Sequence, residues 1–218
     1  MFAALRIITP PGPAEALVAA LRQAADGLPG VEGSWMAPVL PRAAINAGAI
    51  VWRASFATEA DALAAPRQSA WRARIAPLLQ DAEIVTVGYR VTRAGGLAGG
   101  PGVWRALIFR VTPQGFPAQA AELEAALQLM PKYIREIRGW ALNSVAFSEG
   151  PKSFTHVWEQ EFARLEDLTG AYMNHPLHWG YVDAWFDAEC PQYVVDPHLL
   201  QVAGEIDASI IVRPPSLA

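Results

Sequence analysis

The chain has 218 residues, of which 52% are hydrophobic and 17% charged, a composition that favours well-packed cores and argues against disorder. Its formal net charge of −4 argues against nucleic-acid binding, because phosphate backbones are bound by dense basic surfaces. No run of about 18 apolar residues occurs, so no membrane-spanning helix is expected. The single cysteine excludes an intrachain disulfide framework and suits a cytoplasmic location.

The first half of the chain has the pattern of a small α/β repeat. Apolar residues recur at helical spacing between Leu17 and Leu28, and residues 50–56 alternate apolar and polar side chains as a half-buried strand does. The predicted elements are, in chain order, a strand over 5–9, a helix over 17–28, strands over 35–40 and 50–56, a helix marked by Trp71, and a strand over 84–89. The order β-α-β-β-α-β is typical of a ferredoxin-like domain.

A glycine-rich segment, residues 94–102, is predicted to be a flexible linker. After it the same order of elements returns. The predicted elements of the second half are a strand over 103–112, a helix over 123–134 that ends or bends at Pro131, strands over 140–147 and 156–162, a helix marked by Trp179, and a closing strand over 192–195.

This repetition predicts an α+β fold made of two tandem ferredoxin-like repeats. Each repeat would carry its helices on one face of a four-stranded antiparallel sheet, which leaves the other face to be covered. We therefore expect the two sheets to pack face to face as a dimeric α/β barrel within one chain. The predicted divisions are residues 1–93 for the first repeat, 94–102 for the linker, 103–198 for the second repeat and 199–218 for a C-terminal tail. In that tail the β-prone segment 208–212 would add an edge strand or reach a second chain.

The chemistry is expected in the second repeat, which holds all 4 histidines. Tyr172, His175 and His178 follow one another at intervals of three residues, and Pro176 is suited to begin a new helical piece after a break. Tyr172 and His178 are therefore expected to lie close together at that break. Histidine accepts a proton near neutral pH, and tyrosine donates to a carbonyl or phenolate oxygen. The pair thus predicts acid/base catalysis with His178 as the base and Tyr172 as the donor.

The motif Tyr-x-x-His-Pro-x-His at 172–178, preceded by Phe-Thr-His-Val at 154–157, resembles the stress-responsive dimeric α/β-barrel family. The resemblance spans residues 103–198, whereas the first half shares only the order of elements. It implies a lyase or cyclase that needs neither cofactor nor metal and acts on a small phenolic or polyketide-like molecule. Aldol closure, its reverse (such as formaldehyde loss) and ring closure all fit this class. A homodimer is expected.

The same resemblance implies which residues line the substrate pocket. Members that close an aromatic ring have pocket histidines at the positions of His156 and His175 and an aspartate at that of Asp196. Those members carry a further histidine in the first strand, where this chain has Trp104 and Arg105, and Trp104 is taken as the pocket residue. In addition, Trp158 and Trp179 are predicted to supply aromatic pocket walls.

Other interpretations stay open. His156 alternates with Val157 on its strand and could point into the pocket or away from it. A histidine before proline, such as His175, more often fixes a turn than reacts. The spacing His-x-x-His is a weak zinc signal without a carboxylate at helical spacing. For the whole protein, the alternatives are a non-catalytic, stress-associated oligomeric binding protein and a monooxygenase that uses no cofactor.

Overall fold

The computed structural model describes residues 1–96, 99–115 and 117–211 of the chain. Its first half follows the predicted order, with the helical part divided into three short pieces. The elements are β1 (Phe2–Thr9), α1 (Ala14–Ala25), β2 (Gly33–Pro38), β3 (Ile50–Phe56), α2 (Glu59–Ala64), α3 (Ser69–Arg74), α4 (Ala76–Leu79) and β4 (Glu83–Arg90). A three-residue strand, β5 (Arg93–Gly95), then occupies the start of the predicted linker, and linker residues Leu97 and Ala98 lie outside the described residues.

The second half repeats the order with a different second helix. Its elements are β6 (Gly102–Phe109), α5 (Ala118–Tyr133), β7 (Gly139–Glu149), β8 (His156–Phe162), two π-helical segments (Asp167–Tyr172 and His178–Val182), a 3-10 turn (Asp183–Trp185) and β9 (Leu200–Ile206). Helix α5 continues past Pro131 and ends at Tyr133, two residues beyond the proline. The predicted α+β architecture of two ferredoxin-like repeats is confirmed.

The two four-stranded sheets join into one antiparallel sheet that is nearly closed into a barrel. The strand order is β2-β3-β1-β4-β7-β8-β6-β9, with β5 paired to β7. The halves meet at β4 and β7, where the register shifts between Gly88 and Tyr89. On the opposite side β9 approaches β2 and the loop after it, with hydrogen bonds from Leu40 N to Ala203 O (2.9 Å) and from Ile45 N to Gln201 O (3.0 Å).

Side chains alternate between the barrel interior and the helices, which gives three separate apolar cores. On β6, for example, Trp104, Ala106 and Ile108 belong to the interior core, whereas Val103, Leu107 and Phe109 pack under the helical segments of the second half. A third core lies between the first half of the sheet and its helices. This period of two decides which residues of each strand can reach a site under the helices.

The strand that closes the second repeat differs from the predicted one. Residues 192–195 form only an isolated bridge between Val195 and Val111, and the strand beside β6 is β9. The predicted segment carries Gln192 and Tyr193 next to Val194 and Val195, whereas Leu200–Ile206 supplies the longer partner with which β6 pairs over its whole length. The start of the predicted tail thus belongs to the sheet, and we propose that the second repeat extends to Ile206.

The rest of the described tail closes one end of the barrel instead of adding an edge strand. The backbone N–H groups of Ile210 and Ile211 donate to Glu161 Oε1 at 2.8 and 3.1 Å, and Ile211 is buried in the interior core. Val212, the last residue of the predicted strand, lies outside the described residues. Within the described ranges, the structure contains no helix long and apolar enough to span a bilayer.

Candidate functional site

Tyr172 and His178 meet at a break between the two π-helical segments. Their rings are in edge-to-face contact with centroids 4.7 Å apart, and both side chains are buried. His175 lies at the break: its Nδ1 accepts a hydrogen bond from Leu177 N at 3.1 Å, and its carbonyl accepts one from His178 N at 2.8 Å. The proline ring restrains His175 to an extended backbone and starts the next helical turn, so the sequence itself specifies the break. The expected proximity of Tyr172 and His178 is confirmed.

A cavity of about 190 Å³ lies between these segments and the sheet. Apolar and aromatic side chains form most of its wall, and a few polar side chains reach it from the sheet and from the second π-helical segment. The lining side chains that carry a polar group are Arg105, Trp158, Tyr172, His178, Asp183 and Gln201. Such a lining, mostly apolar with a few polar groups, is typical of a small-molecule site.

Arg105 is a buried cation of this cavity, and its hydrogen bonds to the described residues all go to neutral groups. Its side chain is 3% exposed. Its Nη1 donates to Gln160 Oε1 at 2.6 Å and to Tyr172 Oη at 3.4 Å, and its Nε donates to Gln201 Oε1 at 3.0 Å. The guanidinium also lies 5.5 Å from the centroid of the Tyr172 ring. Burial lowers the pKa of Arg105, and the nearby Tyr172 and Asp183 offset part of that effect.

Sequence reasoning missed Arg105 and selected its neighbour Trp104. Trp104 faces the barrel interior, where its Nε1 donates to Glu159 Oε1 at 3.2 Å, so it is on the opposite side of the sheet from the cavity. The alternation of side chains along β6 could have identified Arg105, because Arg105 shares its face of the strand with Leu107, and both line the cavity.

His178 has a carboxylate on one side of its ring. Its Nδ1 lies 3.4 Å from Asp183 Oδ2, within ion-pair range, but it makes no hydrogen bond in the part of the chain that the structure describes. A carboxylate beside Nδ1 favours the tautomer that carries its proton there. The lone pair of Nε2 is then left to accept a proton, as a general base requires.

His156 lies on the helix-facing side of β8, but in a neighbouring cleft. Its ring stacks on Phe109, with centroids 5.0 Å apart, and its Nε2 lies 3.1 Å from Glu124 Oε1. Thr155 Oγ1 is 2.7 Å from the other ring nitrogen. Burial lowers the pKa of His156, and the contact with Glu124 offsets part of that effect. The cleft beside His156, about 360 Å³, shares none of its described lining residues with the cavity beside His178.

The remaining predicted pocket residues are spread over different places. Trp158 lines the cavity, as expected. Trp179 is 61% exposed, and Asp196 pairs with His198 (3.0 Å) at the rim of another cleft. Among the residues that the structure describes, no group of three or more His, Cys, Asp or Glu side chains is arranged to hold a metal ion.

In the first half, a tryptophan pair packs between the sheet and its helices. Trp71 of α3 stacks on Trp52 with ring centroids 5.1 Å apart, and the Arg6 guanidinium lies over both rings at 4.8 and 5.1 Å. Burial lowers the pKa of Arg6 to about 10. The first half thus carries the large side chain of Trp71 beside its sheet. In the second half, Tyr172 and His178 border a cavity instead.

Comparison with known proteins finds a family similarity for the second half of the chain. Residues 103–196 match the family described as the stress responsive A/B barrel domain. A search of curated protein sequences found no match.

Solved structures resemble the whole chain at low sequence identity. An anthrone oxidase-like protein superposes with a TM-score of 0.67 at 13% identity, over 95% of this chain and 92% of the other. A candidate monooxygenase from Fusobacterium nucleatum subsp. nucleatum gives 0.59 at 10% identity, over 95% and 91%. A chlorite dismutase variant from Candidatus Nitrospira defluvii gives 0.57 at 11% identity, over 93% and 90%. At such identities the likeness establishes the fold alone.

Proposed function

Because residues 103–196 match the family described as the stress responsive A/B barrel domain, we propose that the cavity beside Tyr172 and His178 is the active site of a cofactor-independent acid/base enzyme. The observation that carries this proposal is the buried Tyr172–His178 contact, 4.7 Å between ring centroids, in a cavity that also holds Arg105. The cavity of about 190 Å³ is smaller than the roughly 300 Å³ at which drug-sized pockets begin. A compact phenolic molecule therefore suits it better than an extended polyketide chain.

The three polar groups have complementary roles in this chemistry. His178 accepts a proton from an acidic C–H or O–H group of the substrate, which contributes roughly 10²–10⁴-fold to the rate. Tyr172 donates a hydrogen bond to the oxygen on which negative charge develops, the charge of the neighbouring Arg105 stabilises that oxygen, and the low-dielectric surroundings strengthen both interactions. Because the cation is buried beside the phenol, it stabilises a phenolate or enolate without being screened by water.

Carbon–carbon bond cleavage or closure is the reaction that we propose for this constellation. In formaldehyde loss from the keto tautomer of a hydroxymethyl phenol, His178 takes the hydroxyl proton and the carbon–carbon bond breaks. The electron pair of that bond ends on the ring oxygen as a phenolate, which Tyr172 and Arg105 hold. Aldol ring closure uses the same groups in the opposite direction.

A cofactor-free oxygenation is the second candidate. The same deprotonation produces an electron-rich phenolate that can reduce oxygen directly. Two of the full-length structural relatives are named as an anthrone oxidase-like protein and a candidate monooxygenase, which supports including this reaction. The two candidates differ in a measurable quantity, because only oxygenation consumes oxygen during turnover.

The first test is turnover of a panel of hydroxymethyl and acyl phenols in deuterated water, followed by mass spectrometry with an oxygen electrode in parallel. We expect wild-type protein to incorporate deuterium or change the mass of a panel member. His178→Gln should lose roughly 10²–10⁴-fold of that activity, and Tyr172→Phe a smaller part. His198→Gln, at an exposed histidine outside the cavity, is the matched control.

Full turnover by both His178→Gln and Tyr172→Phe would show that this cavity is not the active site. If wild-type protein changes no compound, the non-catalytic binding protein becomes the better description. Oxygen uptake equal to product formed would select oxygenation over cleavage.

We further propose that the protein is a homodimer in the cytoplasm. Met173, Trp179 and Tyr181 lie close together in sequence around the second π-helical segment and are 43%, 61% and 49% exposed. Large apolar side chains at a surface favour association. Light scattering after size-exclusion chromatography tests this, and a monomeric mass at every concentration would contradict it.

A further inference from the structure

Arg105 differs from two other buried or half-buried arginines in lacking a carboxylate partner. Arg53 is paired with Glu159 at 2.7 Å, and Arg93 with Glu124 at 2.7 Å. By contrast, the hydrogen bonds that Arg105 makes in the described part of the chain all go to Gln160, Gln201 and Tyr172. Buried charges in proteins are normally paired, because an uncompensated charge in a low-dielectric interior is costly. Arg105 therefore lacks a negative partner in contact with it.

The cavity supplies the place where such a partner would bind. A guanidinium has five N–H donors, and four hydrogen bonds account for four of those of Arg105, so one N–H remains for a ligand. Trp158, which also lines the cavity, has a buried Nε1 with no hydrogen-bond partner among the described residues. This nitrogen can only donate, so an oxygen acceptor would satisfy it.

We propose that Arg105 and Trp158 form an anion subsite that selects a small aromatic carboxylate. The carboxylate would accept from the free N–H of Arg105 and from Trp158, while the ring packs against the apolar wall formed by Leu107, Leu127 and Phe186. A cavity of about 190 Å³ accommodates one ring with small substituents. The inference rests on the proposed function for the location of the site, and it narrows the substrate class to hydroxylated aromatic acids.

The carboxylate of Asp183 opposes the binding of an anion in this cavity. Asp183 also lines the cavity, but its side chain is 48% exposed and lies beside His178. Water screens this rim charge, whereas Arg105 is buried. Asp183 thus weakens the attraction for an anion without abolishing it, and its removal should tighten anion binding.

Direct binding of salicylate and its neutral analogue salicylamide, measured by calorimetry, tests the subsite. We expect wild-type protein to prefer salicylate by about tenfold or more, as charge-assisted hydrogen bonds allow. Arg105→Gln should abolish the preference, Arg105→Lys should keep part of it, and Asp183→Asn should raise salicylate affinity several-fold. Arg164→Gln, which removes an exposed arginine paired with Asp167, is the charge-matched control.

Binding separates this inference from the proposed catalysis. If His178→Gln is inactive yet keeps the preference for salicylate, both proposals stand. If the preference persists while His178→Gln turns substrate over normally, the acid/base assignment fails and the subsite survives. Equal affinity for the two compounds in wild-type protein, no salicylate binding at millimolar concentrations, or an unchanged preference in folded Arg105→Gln would overturn the subsite.

Discussion

Glu159 shows how single residues inside the barrel depend on one another. Its Oε1 lies 2.7 Å from Arg53 Nε and accepts from Trp104 Nε1 at 3.2 Å, and its Oε2 accepts from Asn143 Nδ2 at 3.2 Å. Arg53 comes from the first half and the other three residues from the second, so this ion pair links the repeats. Although burial opposes it, the Glu159 carboxylate raises the pKa of Arg53 above its usual range.

Removing one partner of this ion pair should lower the free energy of unfolding more than replacing both partners. We expect Glu159→Gln to lower the free energy of unfolding by about 3–5 kcal/mol, because Arg53 is left buried and uncompensated. The double variant Arg53→Met/Glu159→Leu should recover only part of that loss, since apolar side chains replace both charges but Trp104 and Asn143 lose their acceptor. Urea denaturation of Arg53→Met, Glu159→Leu and the double variant measures this coupling, and simple additivity would show that the pair does not act as a unit.

At the scale of elements, Arg93, Glu124 and His156 join β5, α5 and β8. Glu124 receives hydrogen bonds from Arg93 at 2.7 and 2.8 Å and lies 3.1 Å from His156 Nε2. The hydrogen bonds from Arg93 lower the pKa of Glu124, and burial lowers the pKa of His156. Both groups therefore bind fewer protons in the folded than in the unfolded chain.

This cluster predicts that the fold loses stability on acidification. The contribution of His156 is present above its ordinary pKa of 6.5 and is lost as the pH falls through its lower folded value. The contribution of Glu124 is lost in the same direction, below 4.5. Burial raises the pKa of Glu161, which acts in the opposite sense, so the step that begins near 6.5 identifies His156.

Unfolding free energies measured from neutral pH down to acid conditions check this, with His156→Gln as the diagnostic variant. It should lose the step that starts near the ordinary histidine pKa and keep the later carboxylate steps. An identical profile in His156→Gln and wild-type protein would show that another group titrates there.

At the scale of the whole molecule, glycines allow close approach at both junctions between the repeats. A side chain at Gly88 would collide with the ring of Phe147, where β4 pairs with β7. On the other side, a Cβ on Gly204 of β9 would lie 2.9 Å from Ala37 Cβ and 2.9 Å from Trp35 Cη2. The second junction matters for the site, because β9 also carries Gln201, which holds Arg105.

Gly204→Val should separate β9 from β2. Overpacking of this kind costs about 1–3 kcal/mol, so the midpoint of urea unfolding should fall accordingly. The displacement should also weaken the hold of Gln201 on Arg105 and reduce salicylate affinity. Glu205→Val, at the exposed neighbouring residue of β9, is the control, and equal losses in both variants would argue against a special role for this junction.

Much of the fold was predictable from local patterns. The two repeats, the strand over 50–56 and the break at Pro176 follow from spacing and backbone restraint, which neighbouring residues determine. The closing strand was predicted at 192–195 instead of Leu200–Ile206, because two apolar segments competed and only pairing along the full length of β6 distinguishes them.

Only the central pair of the candidate site, Tyr172 and His178, was predictable from the sequence. The motif at 172–178 placed Tyr172 and His178 together correctly, since both lie within two turns of the same segment. Trp104 was selected over Arg105, and His156 was grouped with the pair although Phe109 and Glu124 hold it in a separate cleft. These outcomes depend on which face of a strand meets which helix.

The sequence by itself thus determined the repeated β-α-β-β-α-β order and the histidine-bearing break, because propensity, periodicity and proline restraint act over a few residues. Only the tertiary structure decided the closure of the barrel through β9, the stacking of Trp71 on Trp52 in the first half, and the burial of Arg105 among neutral partners. Those features arise from contacts between residues far apart in the chain, where register and the alternation of side chains across the sheet fix what each strand presents to its neighbours.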